Sequence, residues 1–176
     1  MSSSSNTSIT DIYHDAVLEK DIALSAGALG GNIKDILQQK ISQEIEGKCI
    51  TEGFVKPKSV KLLQYSMGVV EMNCVVFRAS FECNICLPVE GIQCQCIVKD
   101  ITKAGIRAIS ALHEPTPVIV FISRDHYHMN KKFSDIKAND TIVVSVIGNR
   151  FELNDTYISV IAEMISSSKH KLTIDE

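Results

Sequence analysis

The sequence predicts an α+β domain followed by an all-β barrel. One amphipathic helix and several short alternating runs precede residue 80, and five strand-like runs with uneven spacing follow residue 90. A chain of 176 residues with 45% hydrophobic content is long and apolar enough to bury a core. The formal net charge of −3 argues against a protein that coats nucleic acid by bulk electrostatics, so any nucleic-acid contact must be a local patch.

The start of the chain predicts an intracellular location and no membrane contact. Residues 1–8 are Ser-rich and are expected to form a disordered tail, with neither the basic nor the apolar region of a signal peptide. No apolar run approaches the roughly 18 residues that a membrane span needs. In a reducing compartment the six cysteines are expected to be buried thiols rather than disulfides.

The first domain is predicted to cover residues 9–80. Charges interrupt residues 9–24 too often for a long element, and only residues 21–25 alternate as a short strand would. A helix is predicted from the N-cap Asn32 to Gly47, because five isoleucine and leucine residues recur between them at helical spacing. Alternating runs at 48–55, 60–65 and 68–77 then predict strands, and the helix is expected to pack on their sheet.

The second domain is predicted to cover residues 81–166, before a flexible tail at 167–176. Its five strand-like runs are residues 91–102, 105–112, 118–122, 141–151 and 157–165. The first two runs are separated by Lys103-Ala104-Gly105, which predicts a tight antiparallel connection. The only long gap is polar and follows the third run, and this layout is typical of an OB-fold barrel.

Five short motifs give the chain a family resemblance. In order they are EGKC at residues 46–49, GFV at 53–55, VVFRA at 75–79, ITKAGIRA at 101–108 and VFIS at 120–123. Together they resemble the stalk subunit of multisubunit DNA-directed RNA polymerases, which is the seventh subunit of RNA polymerase II and its archaeal counterpart. The resemblance covers roughly residues 9–165, and the short chain with a Ser-rich start is most similar to a version from a large DNA virus.

The resemblance implies a transcription protein without its own active site or cofactor. An N-terminal tip domain would dock on the largest polymerase subunits, and an S1-type OB-fold barrel would face nascent single-stranded RNA. A stalk partner like the fourth subunit is expected, in the nucleus or, for a virus, in the cytoplasmic viral factory and the virion. The residues expected to contact the polymerase core are Gly53, Phe54, Val55, Met67 and Gly68.

The resemblance implies that the basic and aromatic residues around the barrel turn form an RNA-binding face. The predicted RNA-binding residues are Lys99, Lys103, Arg107, Arg124, His126, Tyr127, Lys131 and Lys132. Phosphate neutralisation together with base stacking needs this mixture of side chains. The alternative is an ordinary solvated barrel rim. S1 barrels also commonly carry an aromatic after the strand-two glycine, where Ile106 stands, and a glycine where Cys96 stands, so weak RNA binding is expected.

Other chemistry has less support in the sequence. Cys83-x-x-Cys86 with Cys94-x-Cys96 suggests zinc, but four converging ligands are needed, and Cys83 and Cys86 would point to opposite faces of a strand. The pair at His126 and His128 has no nucleophile marked nearby. Neither metal nor cofactor is therefore expected. The alternatives to a polymerase subunit are a free-standing S1-type RNA-binding protein in translation or RNA decay and, with less support, a metal-binding redox protein.

Overall fold

The computed structural model describes residues 12–111, 116–124 and 136–168. The tail expected at residues 1–8 and most of that expected at 167–176 lie outside these ranges. The elements are β1 (Tyr13–Ser25), α1 (Ile33–Ile45), β2 (Cys49–Ile50), β3 (Gly53–Val55), β4 (Lys61–Tyr65), β5 (Val69–Glu71), β6 (Cys74–Cys86), β7 (Gln93–Ile101), β8 (Gly105–Ser110), β9 (Val118–Ser123), β10 (Thr141–Arg150) and β11 (Ile158–Ser168). A short 3₁₀ turn, Ala26–Gly30, precedes α1. The predicted class, a mixed strand and helix region followed by a closed barrel, is confirmed.

The chain forms two compact units. The first combines Tyr13–Leu87 with the short segment Glu152–Thr156, and the second contains Pro88–Phe151 and the chain from Tyr157 onward. The domain boundary expected at residues 80 and 81 falls inside β6, which continues without a break to Cys86. Since a continuous strand crosses that point, we place the boundary between residues 87 and 88.

Strand β1 corrects the expectation that charges would prevent a long element before residue 21. It runs for 13 residues, and every one of them is paired with β6 in an antiparallel register. Several of its charged side chains have polar partners: Asp21 accepts from the Arg78 guanidinium of β6 at 2.9 Å, and Lys20 donates to Glu44 of α1 at 2.7 Å. Pairing along a long neighbouring strand therefore decides the structure here, rather than the local run of charges.

Helix α1 has the bounds that the sequence predicts. The Asn32 side chain caps it by accepting from the backbone N–H of Lys34 at 3.2 Å, and Gly47 follows it with a φ of +72°. Leu37, Ile41 and Ile45 form its buried stripe, which packs on the sheet. In the described part of the chain, no helix combines the length and apolar character required to cross a membrane.

A polar contact also fixes α1 to the sheet. The Gln38 amide nitrogen donates to the carbonyl of Val60 at 2.8 Å, and its amide oxygen accepts from the backbone N–H of Leu62 at 2.6 Å. One side chain thus satisfies two backbone groups of the segment entering β4. This contact holds β4 against the helix.

Strands β5 and β6 form a hairpin where the sequence predicts a single strand over residues 68–77. The chain turns at Met72, which has a φ of +49°, and Asn73, so that Val69 pairs with Val76 and Val70 with Val75. Residues 48–55 divide in the same way, into β2 and β3. Apolar residues stand on both sides of each turn, and residues 48–55 and 68–77 were therefore each interpreted as a single strand.

The second unit is a closed five-stranded barrel, consistent with an OB-fold. The strand order is β10-β11-β9-β8-β7, closed by pairing of β10 with β7, and β9 with β11 is the parallel pair. Alternate residues of each strand fill the interior, including Val98, Ile106, Val120, Ile142 and Ile158. The predicted tight connection at residues 103–105 is confirmed, and β11 extends three residues beyond its expected end at residue 165.

Candidate nucleic-acid interface

Three of the predicted RNA-binding residues come together where β7, β8 and β9 meet. Lys103 lies in the turn between β7 and β8, and Arg107 lies two residues after Gly105 on β8. Arg124 follows β9, and its backbone N–H donates to the carbonyl of Ala104 at 3.0 Å. All three basic side chains are exposed. The turn and the end of β9 thus present three positive charges on one part of the barrel.

Lys99 lies beside this group on β7. It is exposed at an irregularity in the pairing of β7 with β8, next to Asp100. Asp100 and Arg107 form an ion pair at 3.7 Å, and both side chains are exposed. An exposed pair of this kind contributes at most about 1 kcal/mol, so a phosphate group could replace the carboxylate beside Arg107. Among the described residues between 99 and 124, Asp100 is the one acidic side chain opposing the four basic ones.

The remaining predicted RNA-binding residues lie outside the described ranges. These are His126, Tyr127, Lys131 and Lys132 in the polar segment after β9. Their part in an RNA-binding face stays a prediction from the sequence.

Phe121 on β9 is an aromatic side chain that the sequence pattern did not single out. It is 39% exposed and lies directly opposite Arg107 in the β8–β9 register. The sequence of β9, VIVFIS, is apolar over five consecutive residues and gave no signal for this side chain; in the structure Val120 and Ile122 point inward and Phe121 lies outside. An aromatic ring next to basic side chains is the combination that binds single-stranded nucleic acid by stacking and charge.

Gly105 makes room for the Phe121 ring. A Cβ atom at position 105 would lie 2.9 Å from Cζ of Phe121 and 2.2 Å from the carbonyl oxygen of Ile122. The absence of a side chain therefore lets β8 and β9 approach closely and lets the ring lie over β8. Two motifs identified separately in the sequence, at residues 101–108 and 120–123, meet at this contact.

The position after Gly105 offers no stacking surface. Ile106 is fully buried and points into the barrel. The aromatic surface on this part of the barrel comes instead from Phe121 on the neighbouring strand.

Three of the five residues expected to contact the polymerase core are buried inside the first unit. Phe54 and Val55 are buried, and Gly53 has a φ of +133° with its Cα packed so tightly that a Cβ would lie 2.5 Å from the carbonyl oxygen of Cys86. This burial argues against contact between these three residues and a partner. Phe54 and Val55 pair with β6, Gly53 pairs with Ile50 of β2, and none of the three has side-chain surface to offer.

Met67 and Gly68 lie instead at an exposed apolar surface. Met67 is 91% exposed, and Val69, Val70 and Met72 are 60%, 76% and 103% exposed. We call these four residues the apolar hairpin patch. Gly68 lies against Phe77 and Val75, where a Cβ would be 2.4 Å from Val75 Cγ1. The patch therefore projects from a tightly packed base. Val69, Val70 and Met72 were not predicted to belong to it, because the turn at Met72 and Asn73 was not recognised in the sequence.

The cysteines are buried thiols, as expected. Five of the six are buried and Cys74 is half-buried. Burial raises the pKa of the Cys96 thiol to about 12, and burial with the nearby Asp155 carboxylate raises the pKa of Cys49 to about 11. Such thiols are poorly reactive at neutral pH. No group of three or more potential metal ligands is found within the three described ranges.

Comparison with known proteins supports a relation to transcription. No protein-family model matches the chain. Among curated proteins, it is similar to one from Acanthamoeba polyphaga mimivirus named "Putative DNA-directed RNA polymerase subunit", with 25% identity over 170 residues. The match covers 88% of this chain and 82% of the mimivirus protein. The chain is therefore a distant homologue of this mimivirus protein, which is a polymerase subunit by name.

Proposed function

We propose that the chain is a non-catalytic stalk subunit of a DNA-directed RNA polymerase. In this role the α+β unit docks on the polymerase core, and the barrel contacts nascent RNA. The homology supports membership of a polymerase complex. The observation that carries the docking step is the apolar hairpin patch.

The apolar hairpin patch is suited to a protein interface. Its four apolar side chains are consecutive or nearly so along the chain, and each remains more than half exposed. Val69 and Val70 are neighbours in one strand and point to opposite faces of the hairpin, so a partner would enclose both faces, and apolar surface left exposed in this way marks interaction sites. We place the contact with the polymerase core at this patch, with Gly68 as its rigid support, rather than at the buried residues of β3.

The barrel supplies the features of an RNA contact. Lys103, Arg107 and Arg124 provide positive charge for phosphates, and Phe121 provides a ring for a base. The chain as a whole is acidic, so this binding is local and does not depend on bulk charge. Weak affinity is appropriate for a subunit held near the transcript by the polymerase.

A pull-down tests the complex directly. When the affinity-tagged chain is purified from the cells that produce it, we expect the two largest polymerase subunits to co-purify in comparable amounts. Deleting the chain should reduce transcription. If the subunits are absent from the purified material and deletion leaves transcription unchanged, the stalk proposal is wrong. Appreciable RNA affinity without polymerase association would then favour a free-standing RNA-binding protein.

A charge-reversal variant tests the RNA contact. Changing Lys103, Arg107 and Arg124 together to glutamate is expected to remove most crosslinking of the barrel to transcript. In isolated binding, the slope of log affinity against log salt should become shallower by about 2, since each lost phosphate contact to a single strand accounts for about 0.7.

The matched control for this variant changes three exposed lysines of the first unit, Lys34, Lys58 and Lys61, to glutamate. It carries the same change in net charge but should crosslink like the unaltered chain. Equal losses in both variants would mean that bulk charge drives binding. Unchanged crosslinking in the folded barrel variant would show that RNA follows another path.

A further inference from the structure

A groove of about 280 Å³ opens on the outer face of the barrel, across β9, β11 and β10. Phe121 on β9 pairs with Ile161 on β11, and Ile161 pairs in turn with Gly148 on β10. These three residues form one row across three adjacent strands. The volume lies near the lower end of the roughly 300–1,000 Å³ typical of small-molecule sites, so it suits one small planar group.

Gly148 keeps one end of the row open. No atom lies within 4 Å of the position that a Cβ would take at residue 148, and the pairing of β10 with β11 is irregular between Val146 and Gly148. Since a glycine in a strand interior weakens the strand, its presence often marks a place where another molecule approaches the backbone. At Gly105 neighbouring atoms leave no room for a Cβ, whereas at Gly148 no neighbouring atom in the described structure excludes one.

The charges around the groove favour an anionic ligand. Arg150 lines it on the β10 side, and Arg107, which forms the exposed ion pair with Asp100, lies outside the lining at the register position opposite Phe121. Asn149 and Ser159 add polar groups to its lining, and no acidic side chain is among the described residues that form it. The Asn149 side-chain nitrogen donates to the carbonyl of Pro88 at 2.5 Å, which fixes the orientation of this amide.

We propose that the groove binds one unpaired nucleotide of the transcript. The base would stack on the Phe121 ring and contact Ile161 and the open surface at Gly148, while Arg107 and Arg150 would face the flanking phosphates. This inference rests on the proposed RNA contact of the barrel and extends it from β8 and β9 onto β11 and β10. The groove is continuous with the basic group at the β7–β8 turn, because Arg107 and Phe121 are register neighbours.

Filling the groove is the sharpest test. In Gly148→Leu the Cβ has no atom within 4 Å, and the rest of the new side chain is expected to occupy the groove. Binding to a fluorescently labelled single-stranded oligouridylate by the full chain is expected to weaken about tenfold or more, the lower part of the range for one stacked base. The salt dependence should be unchanged, since no charge is altered.

Three further variants make the result decisive. Phe121→Ala should weaken binding as much as Gly148→Leu, whereas Phe121→Tyr should retain it because the tyrosine ring still stacks. Gly148→Ala adds a smaller side chain to the same surface and should weaken binding less than Gly148→Leu. Thermal melting of each variant establishes that the barrel is folded.

The outcomes separate this inference from the proposed function. If Gly148→Leu and Phe121→Ala bind oligouridylate normally while the charge-reversal variant does not, the groove proposal is wrong and the RNA contact stands. If the unaltered chain, assembled in the polymerase, forms no crosslink to the transcript and binds no oligouridylate, the groove proposal and the proposed RNA contact of the barrel are both wrong. If Gly148→Leu loses a co-purifying protein and keeps RNA binding, the groove is a protein site and the nucleotide proposal is overturned.

Discussion

Replacing Gly105 with valine is expected to lower the free energy of unfolding by about 3 kcal/mol or more, the upper part of the range for overpacking a well-packed interior. A Cβ at this position would lie 2.2 Å from the Ile122 carbonyl oxygen, which belongs to the neighbouring backbone and cannot rotate away. The paired strands β8 and β9 must therefore separate. Urea unfolding monitored by circular dichroism measures the loss.

Gly148→Val is the matched control for this variant. It makes the same chemical change in another barrel strand, but nothing lies within 4 Å of the new Cβ, so the free energy of unfolding should change by no more than about 0.5 kcal/mol. A Gly105→Val protein as stable as this control would contradict the close approach of β8 to β9. Because the Phe121 ring also lies at Gly105, Gly105→Ala, which carries the same Cβ, is expected to weaken RNA binding as well.

The barrel could be predicted from the sequence because its strands bury one face. In β7, inward-facing Cys94 and Cys96 alternate with the polar Gln93 and Gln95, and this pattern marks a half-buried strand without further information. The helix was predictable for a similar reason, since Asn32 and Gly47 provide local start and stop signals. Both features depend on interactions within short segments of chain.

The missed elements depend on contacts that are distant in sequence. Strand β1 carries charges that would disfavour a strand locally, and its partner β6 begins about fifty residues later along the chain. The turn at Met72 and Asn73 has apolar residues on both sides and contains neither glycine nor proline, so only the pairing of Val69 with Val76 shows the hairpin. Neither relation can be read from a local pattern.

The candidate RNA-binding face was only partly predictable for the same physical reason. The basic residues Lys103 and Arg107 lie near each other in sequence, and their grouping followed from the turn between two alternating runs. The role of Phe121 depends on the register that places it opposite Arg107 and on the space left by Gly105. Register between strands is set by the folded barrel as a whole.

Changing the apolar hairpin patch to serine at all four positions is expected to weaken association with the polymerase core at least about 100-fold. Fully burying a valine or methionine side chain contributes roughly 1.5–3 kcal/mol, so loss of only two buried contacts would produce this effect. The side chains are exposed in the chain itself, and the thermal stability should therefore hardly change. Quantitative pull-down of the largest polymerase subunits measures the association.

A control with Val89 and Ile165 changed to serine removes exposed apolar surface from the other compact unit. If loss of exposed apolar area alone reduced association, for instance through altered solubility, this variant would share part of the defect. If the patch mediates docking, the control should associate normally while the patch variant remains folded and free of the polymerase. If a folded patch variant still recovers the largest subunits at the unaltered level, the patch is not the docking site. The site would then lie elsewhere on the α+β unit, and not at Phe54 and Val55, because both are buried.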